Sequence, residues 1–401
     1  MAEINLIQIT QKLPPSLHGI GDYACKLASK LKLKYAIDSI FVNLDDIEEE
    51  TSEALNNSSV YSLSKMKVKL ADILIKVLEL HPEKENILIL HYDRGFYDTY
   101  LNEKQFEKYY LPINLLKSLS TLKKQGLKFN LIIVFHEFLF PVIERRRDYL
   151  LRPFQNLMMK KLIHNADIAV CSNPVVAKQI FNLNHKTKIL ISPVFSNIGE
   201  PSYYPFEIKQ EGVWVIFGST DNLITTLRQF IYQLHLIKKH QHINVLNILG
   251  GRQNDEVLNL ISEIKKHISQ VKYFPGIDNA EASNIFKVSR FCYMYYFSRN
   301  LLENSSLIFK SGVFSTACSH GVIPVFGNEG MEYAISVFEH PGFICFQNQD
   351  FNFPDCQEIN ALSSNIFNWY QKYSSLEYAA STFSHAIEYL GSQVVLNISS
   401  L

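Results

Sequence analysis

Two successive series of short apolar runs, each run followed by a segment of helical periodicity, constrain this chain more than any other feature. In the first series Ile4–Ile9, Ala36–Asn43, Ile87–His91, Leu131–Phe135 and Ile168–Cys171 read as strands. Between and after them, Tyr23–Leu31, Leu111–Lys124, Tyr149–His164 and Pro174–Phe181 repeat apolar residues at helical spacing, and Gly126 stands as a C-cap after the second. The pattern then restarts. Val213–Phe217, Val245–Leu249, Val271–Phe274, Phe291–Tyr296 and Ile323–Phe326 read as strands, and Leu223–Lys239, Val257–Ile268, Ala280–Val288 and Leu307–Ser319 as helices. Strands joined through helices run parallel and are covered on both faces. The expected fold class is therefore α/β, with two Rossmann-like doubly wound domains.

The stretch from Ile189 to Gly212 carries three prolines and two glycines and loses periodicity after Phe195, which marks a connection between domains. The expected organisation is a first domain over 1–195, a linker over 196–212 and a second domain over 213–375. A terminal helical segment over 376–401 has the option of crossing back to the first domain.

Composition narrows the function classes. The chain has 401 residues, 47% of them hydrophobic, enough for two cores. Its 39 Lys and Arg balance its 39 Asp and Glu, so nothing suggests a nucleic-acid binder held by bulk charge, and no nucleic-acid partner is expected. The six cysteines form no C-x-x-C and no Cys/His group with zinc spacing. Free thiols and no metal are expected. The N-terminus shows no signal peptide, and Leu131–Ile143 is interrupted by His136, Glu137 and Pro141, which makes it too short and polar to span a bilayer. A cytoplasmic protein is expected. The run Arg145–Arg147, beside Phe138–Phe140 and Pro141, has the makeup of a contact with an acidic inner-membrane face, and equally of a solvated helix start.

In a doubly wound architecture ligands gather at the C-terminal ends of the strands, and with two such domains in the cleft between them. Five stretches fall at such ends. Gly19-Ile-Gly-Asp-Tyr-Ala24 matches a dinucleotide fingerprint in outline, but Thr10–His18 separates it from its strand, whereas that fingerprint follows its strand directly. Its glycines either ease the start of a helix or let bare backbone approach a ligand. His136 and Glu137 sit just past a buried strand, where His136 can donate to a sugar hydroxyl or take a proton, or serve as a structural histidine. Lys310, Ser311 and Gly312 fall in the first half of the predicted helix Leu307–Ser319, with Ser315, Ala317 and Ser319 as small residues behind them. There Lys310 can neutralise phosphate or simply be a solvated lysine. Gly218 and Ser219 end one strand, and Pro275-Gly276-Ile277 follows another.

Taken together, these stretches resemble the GT-B glycosyltransferases, in the family-4-like, glycogen-synthase-like branch of bacterial type. The resemblance runs through "LHGIGDYACKLASKL", "HYDRGFY" at His91–Tyr97, "FHEF" around His136, "RPFQNLMMKKLIHNADIAVCSN" from Arg152, "PVFSNIGEP", "VIFGS", "FPGI" and "FKSGVFSTACSHGVIPV", covering nearly the whole chain. It implies transfer of a sugar from a nucleotide-diphosphate sugar to a glycan, lipid-linked or small-molecule acceptor, with no cofactor or bound metal, in polysaccharide, glycolipid or glycoconjugate synthesis. The second domain would hold the nucleotide and the first the acceptor.

Carried over residue by residue, the resemblance puts Gly19 and Gly21 against donor phosphate and sugar, and His136 on the donor sugar. Gly218, Ser219 and Arg228 would flank the diphosphate, Gly276 and Ile277 the base. Lys310, Ser311, Gly312 and Ser315 would lie at the phosphates and sugar, with His136 and Lys310 the catalytic pair. His91, Arg94, Tyr97 and Glu137 would face the acceptor. One departure is plain. Many members carry two glutamates eight positions apart, and the aligned positions here are Leu307 and Ser315, neither acidic, with Glu303 out of register. Other readings are a catalytically silent GT-B protein that binds a partner or a sugar nucleotide, an NAD-dependent oxidoreductase prompted by the glycine fingerprint, and an inverting epimerase.

Overall fold

The structure is a computed structural model, and it describes residues 3–14, 19–44, 59–62, 69–93, 111–138, 146–295, 305–327, 338–345 and 353–392. The chain divides into two compact units. One comprises Met1–Pro193 with Leu376–Leu401, the other Val194–Ser375.

The first unit is built on a seven-stranded parallel sheet, β1 (Ile4–Thr10), β2 (Ser39–Asn43), β3 (Val60–Ser62), β4 (Glu85–Tyr92), β5 (Asn130–Phe135), β6 (Ile168–Cys171) and β7 (Lys188–Ile191), in the order β3-β2-β1-β4-β5-β6-β7. Its helices are α1 (Gly19–Tyr35), α2 (Leu70–Leu78), α3 (Ile113–Lys124), α4 (Arg146–Asn165) and α5 (Pro174–Leu183). The central strands are buried almost end to end, as the run Ile-Leu-Ile-Leu in β4 requires of a strand covered on both faces. One core cluster joins β1, β4 and β5 through Ile9, Leu90 and Ile133 to α2 and α3, while Leu13, Ala24, Ala28 and Phe41 form a second under α1.

The second unit has a six-stranded parallel sheet, β8 (Val213–Phe217), β9 (Val245–Leu249), β10 (Gln270–Phe274), β11 (Phe291–Met294), β12 (Ile323–Phe326) and β13 (Ile344–Cys345), in the order β10-β9-β8-β11-β12-β13. Its helices are α6 (Thr220–His240), α7 (Asp255–Ile264), α8 (Asn279–Val288), α9 (Gly312–Ser319) and α10 (Cys356–Tyr373). Side-chain caps fix several starts: Asn254 on α7, Asp278 on α8 and Asp355, with Glu358 closing a capping box, on α10. After α10 the chain returns to the first unit as α11 (Leu376–Ser392), which lies along α1. Lys30 and Lys34 both pair with Glu377, and Lys188 sits 3.2 Å over the Tyr389 ring.

Three expectations change. The stretch taken as linker from Ile189 begins inside β7, because Ile189 and Leu190 pair with Ala169 and Val170 and complete the first sheet. The predicted helix Leu307–Ser319 is broken: Ser305–Lys310 is a 3-10 turn, Ser311 is extended, and α9 starts at Gly312. The Ser311 hydroxyl accepts from the Phe314 N–H at 3.2 Å, so a serine in mid-pattern acts as an N-cap. Phe291–Tyr296 ends as a strand at Met294.

Candidate functional site

Each sheet has a point where successive strands depart in opposite directions, and ligands of such folds gather outside the strand ends there. In the first unit that point lies between β1 and β4. Gln8 on β1 and His91 on β4 point to the same face, because Gln8 pairs in register with Ile89. Their contact is direct: His91 Nε2 lies 2.9 Å from Gln8 Oε1, and Gln8 Nε2 donates to Ser39 Oγ at 2.9 Å. On the other side His91 Nδ1 lies 3.1 Å from His136 Nε2. The His136 backbone N–H donates to the Tyr92 carbonyl at 3.0 Å, which extends the β4–β5 ladder one step beyond β5 and holds the second imidazole edge to edge with the first.

Tyr23 of α1 closes the cluster edge-on, its ring centroid 5.1 Å from that of His136 and 6.0 Å from that of His91. Burial and the neighbouring His136 hold His91 well below the usual histidine range, so its ring is neutral. His136 is half-buried and Glu137 exposed, so the cluster opens to its surface at these two residues. Beside it, Thr10 Oγ1 and Gln11 Oε1 are buried at the end of β1 with no hydrogen-bond partner among the described residues. Groups of that kind in a native interior call for a ligand, water or ion to satisfy them.

Two sequence readings are corrected here. His91, expected on the acceptor, is fully buried with both ring nitrogens engaged inside the protein. Gly21, expected to offer bare backbone to the donor, is buried in α1, where a Cβ would meet the Lys12 carbonyl oxygen at 2.1 Å. Its lack of a side chain lets α1 press on the loop after β1. Gly19 is exposed at the first position of α1. Both glycines thus lie in the first turn of α1, well beyond the end of β1 at Thr10, whereas a dinucleotide fingerprint follows its strand directly. Arg94 and Tyr97 lie outside the described residues, as does Arg145, and nothing is described of the side chains of Arg146 and Arg147. Sequence reasoning missed Gln8, a polar residue inside an apolar run, and Tyr23, which the helical pattern had absorbed as core.

In the second unit the reversal lies between β8 and β11. Three loops meet at the ends of β8, β9 and β10. The Gly218 N–H donates to the Leu249 carbonyl at 3.2 Å, the Gly276 N–H to the Gly251 carbonyl at 3.0 Å, and the Arg252 N–H to Thr220 Oγ1 at 2.9 Å. Gly250 and Gly251 have φ of +87° and +65°, and a Cβ on Gly250 would strike the Gly218 carbonyl oxygen at 2.6 Å. Side chains are therefore excluded where the β8 and β9 loops touch. Ser219 is the exposed N-cap of α6, and its side chain makes no bond to that helix. Gly276, at φ +62°, and Gly312 have open space where a Cβ would stand. Ile277 is half-buried beside Gly276.

β11 and β12 are parallel and joined through α9, so the N-terminus of α9 stands at the same edge of this sheet. Exposed Lys310 ends the 3-10 turn, Ser311 caps, and Gly312 opens the first turn. This arrangement favours an anion more than the expected mid-helix placement does, since unpaired backbone N–H groups and the positive end of the helix dipole lie at the first turn.

Two donor-side readings take other partners. Arg228 is exposed and paired with Glu256 of α7. Ser315 is buried and donates to the Val194 carbonyl. Leu307, at the other position of the missing glutamate pair, is buried as well. Among the described residues no group of three His, Cys, Asp or Glu could hold a metal ion. All six cysteines are free thiols.

No protein-family profile matches the chain, and no curated protein does. Solved structures do match over nearly its full length. A glycosyltransferase from Rickettsia africae aligns with a TM-score of 0.61 at 8% identity, over 98% of this chain and 100% of that one. An alpha-glucosyltransferase in complex with UDP-glucose and DNA containing an abasic site aligns at 0.57 and 12%, over 98% and 100%. A lipopolysaccharide outer core galactosyltransferase in apo form aligns at 0.53 and 12%, over 96% and 99%. The chain thus has the fold of GT-B glycosyltransferases, two parallel-sheet α/β units of seven and six strands.

The expectation of no nucleic-acid partner does not stand, since a protein of this fold is complexed with DNA. The reasoning behind it fails on a physical point: a zero net charge says nothing of how charge is distributed. Between α3 and α4 lies a groove of about 960 Å³ lined by Lys117, Lys123, Lys124, Lys160, Lys161 and His164, with no carboxylate in its lining.

Proposed function

We propose that the chain is a glycosyltransferase that takes a sugar from a nucleotide-diphosphate sugar. The observation that carries this reading is the edge of the second sheet, where glycine turns after β8, β9 and β10 share one rim with the Lys310–Gly312 start of α9. A departing nucleoside diphosphate gains negative charge as the bond to the sugar breaks, and a fixed cation with backbone N–H groups stabilises that charge without reorganisation. Gly218 and Ser219 are assigned to the diphosphate, Gly276 and Ile277 to the base, and Lys310, Ser311 and Gly312 to the phosphates. His136 is assigned to a sugar hydroxyl, Glu137 to the acceptor side. UDP-sugar complexes of proteins with this fold make UDP the first nucleotide to test. Incubation with UDP-sugars and analysis of released UDP tests the reading; no release from any nucleotide sugar, with or without acceptors, overturns it.

The substrate class fits synthesis of polysaccharide, glycolipid or another glycoconjugate, at an anionic lipid surface. Support for the surface comes from α4, which exposes Leu150 (75%), Phe154 (60%) and Leu157 (46%) along one stripe, continued by Lys161 and His164 and flanked by the lysine groove. Apolar residues beside lysines on one helix face suit the interface of an anionic bilayer. No helix among the described residues is long and apolar enough to cross a membrane. Flotation with neutral and anionic vesicles tests this, with Leu150→Glu and Phe154→Glu expected to abolish binding to the anionic ones. Binding of duplex DNA in place of vesicles would reassign the groove.

A second reading, a silent protein that binds a sugar nucleotide or a partner, is favoured by one observation. Leu307 and Ser315 are buried and non-acidic where many relatives of the resemblance carry glutamates. Release of UDP separates it from the first.

A further inference from the structure

We propose that the groove between α3 and α4 seats a single anionic phospholipid, with the phosphate head among the lysines at its basic end and an acyl chain along its apolar floor. The inference deepens the surface reading above. It rests on that reading for the bilayer that supplies the lipid, and not for the site itself.

The groove is sorted along its length. On α3 the lining residues follow one stripe from Ile113 to Lys124, a run of about 17 Å at a helical rise of about 1.5 Å per residue. Ile113 and Leu116 come first, and Lys117, Ser120, Lys123 and Lys124 follow. Along α4 the order repeats, with Leu157 and Met158 before Lys160, Lys161 and His164. The two helices end side by side, where Lys123 Nζ donates to Asn165 Oδ1 at 2.9 Å. Apolar half therefore lies beside apolar half, and basic beside basic. Among the described residues Lys117, Lys124, Lys160 and Lys161 form no ion pair, and no carboxylate lines the groove. Like charges gathered on neighbouring turns repel, and an anion between them relieves that. At the other end Leu157 is 46% exposed and Ile113 and Leu116 half-buried. The volume of about 960 Å³ suits one enclosed molecule more than a flat contact.

Both halves choose the ligand. A free phosphate would meet the lysines and leave the apolar half wet. A nucleic-acid backbone carries charge at every step, and would lay phosphates against Ile113, Leu116 and Leu157. A molecule with one anionic head and a hydrocarbon chain fits both halves. Placement then fixes its role. α3 ends shortly before β5 begins at Asn130, and α4 shortly before β6 begins at Ile168. The basic end thus lies at the edge where strands start, whereas His136 follows the end of β5. With its head at the edge opposite His136, the lipid is an anchor and not the sugar acceptor.

Calorimetric titration of the full chain with dihexanoyl phosphatidic acid, kept below its micelle concentration, tests the site without a bilayer or a sugar donor. Saturable binding of one lipid per chain is expected. Dihexanoyl phosphatidylcholine, glycerol 3-phosphate and a short DNA duplex should each bind at least about tenfold more weakly. Lys124 and Lys161 are exposed, so a Lys124→Glu, Lys161→Glu double variant should fold and lose about tenfold or more in affinity. Leu157→Asp, at the apolar end, should lose about as much. Lys266→Glu, in the second unit, should change nothing. Glycerol 3-phosphate or duplex DNA binding as tightly as the lipid, or full affinity in either groove variant, overturns the proposal. Leu150→Glu, outside the groove, should keep the soluble lipid while losing anionic vesicles. Binding of the soluble lipid by a chain that floats with no vesicle upholds the site and overturns the surface reading. Flotation without saturable binding of the soluble lipid overturns the site alone.

Discussion

His91 and His136 lie edge to edge with their rings nearly coplanar, 22° apart with 5.4 Å between centroids, one sealed in the first unit and the other at its surface. Of the pair, only the partly open imidazole of His136 is available for the sugar-hydroxyl role proposed above. His136→Ala is expected to lower kcat for sugar transfer by about 10²-fold or more, the usual yield of a positioned proton-transfer group. Affinity for the nucleoside diphosphate alone should be unchanged, because its assigned contacts lie in the second unit. Steady-state kinetics and calorimetric titration with the diphosphate check both halves.

Gly21→Ala reverses the usual sign of such a change. Alanine in a helix interior normally gains up to about 1 kcal/mol over glycine. Here the new Cβ would stand 2.1 Å from the Lys12 carbonyl oxygen, a backbone atom. The variant is expected to lose about 1–3 kcal/mol, as overpacking does. Urea denaturation measures it, and a gain in stability would contradict the close approach of α1 to the loop before it.

Ser311 separates capping from ligand binding. Ser311→Ala removes the bond from the Phe314 N–H and should cost about 1 kcal/mol. Ser311→Asp keeps a good cap and adds an anion to the first turn. Its stability should stay near wild type while its affinity for a nucleoside diphosphate falls. Thermal unfolding and calorimetric titration of the two variants give the pair of readings.

His320 sets a pH dependence. It is buried, and burial is the main cause that lowers its pKa to about 4, against the bond its Nδ1–H donates to the Thr316 carbonyl. Between about pH 6.5 and 4 the unfolded chain binds a proton that the folded one refuses. Stability contributed by the neutral ring is thus full above pH 6.5 and falls as the pH drops toward 4, by roughly 3 kcal/mol in all. Buried His91 acts in the same direction. Urea midpoints across that window should fall, and more shallowly in a folded His320→Gln variant.

Much of the fold was legible in the sequence because parallel strands covered on both faces are nearly continuous apolar runs. Ile168–Cys171, Val213–Phe217, Val245–Leu249 and Ile323–Phe326 match their strands residue for residue. The rest was hidden for identifiable reasons. Val60–Ser62 is three residues long, too short for any period to show. Lys188–Ile191 sits beside Pro193 and was read with the prolines that follow. The 3-10 turn before α9 has the same apolar content as a helix, and only the capping serine divides them. Among the candidate residues, His136, Gly218 and Gly276 follow the ends of β5, β8 and β10, as the strand pattern expected. Which side chains fold inward was not readable, since burial of His91 depends on Gln8, Tyr23 and His136 arriving from three other elements.

The central claim is that the second unit holds a nucleoside diphosphate at Lys310. It is tested most directly by thermal stabilisation of the purified chain across UDP, GDP, ADP, CMP, dTDP and their sugar conjugates, beside a Lys310→Ala variant. At roughly a hundred times the dissociation constant, a ligand should add about 2.7 kcal/mol. A shift is expected with one nucleoside diphosphate, lost in Lys310→Ala; no shift with any nucleotide, or an equal shift in that variant, would contradict a diphosphate site at Lys310.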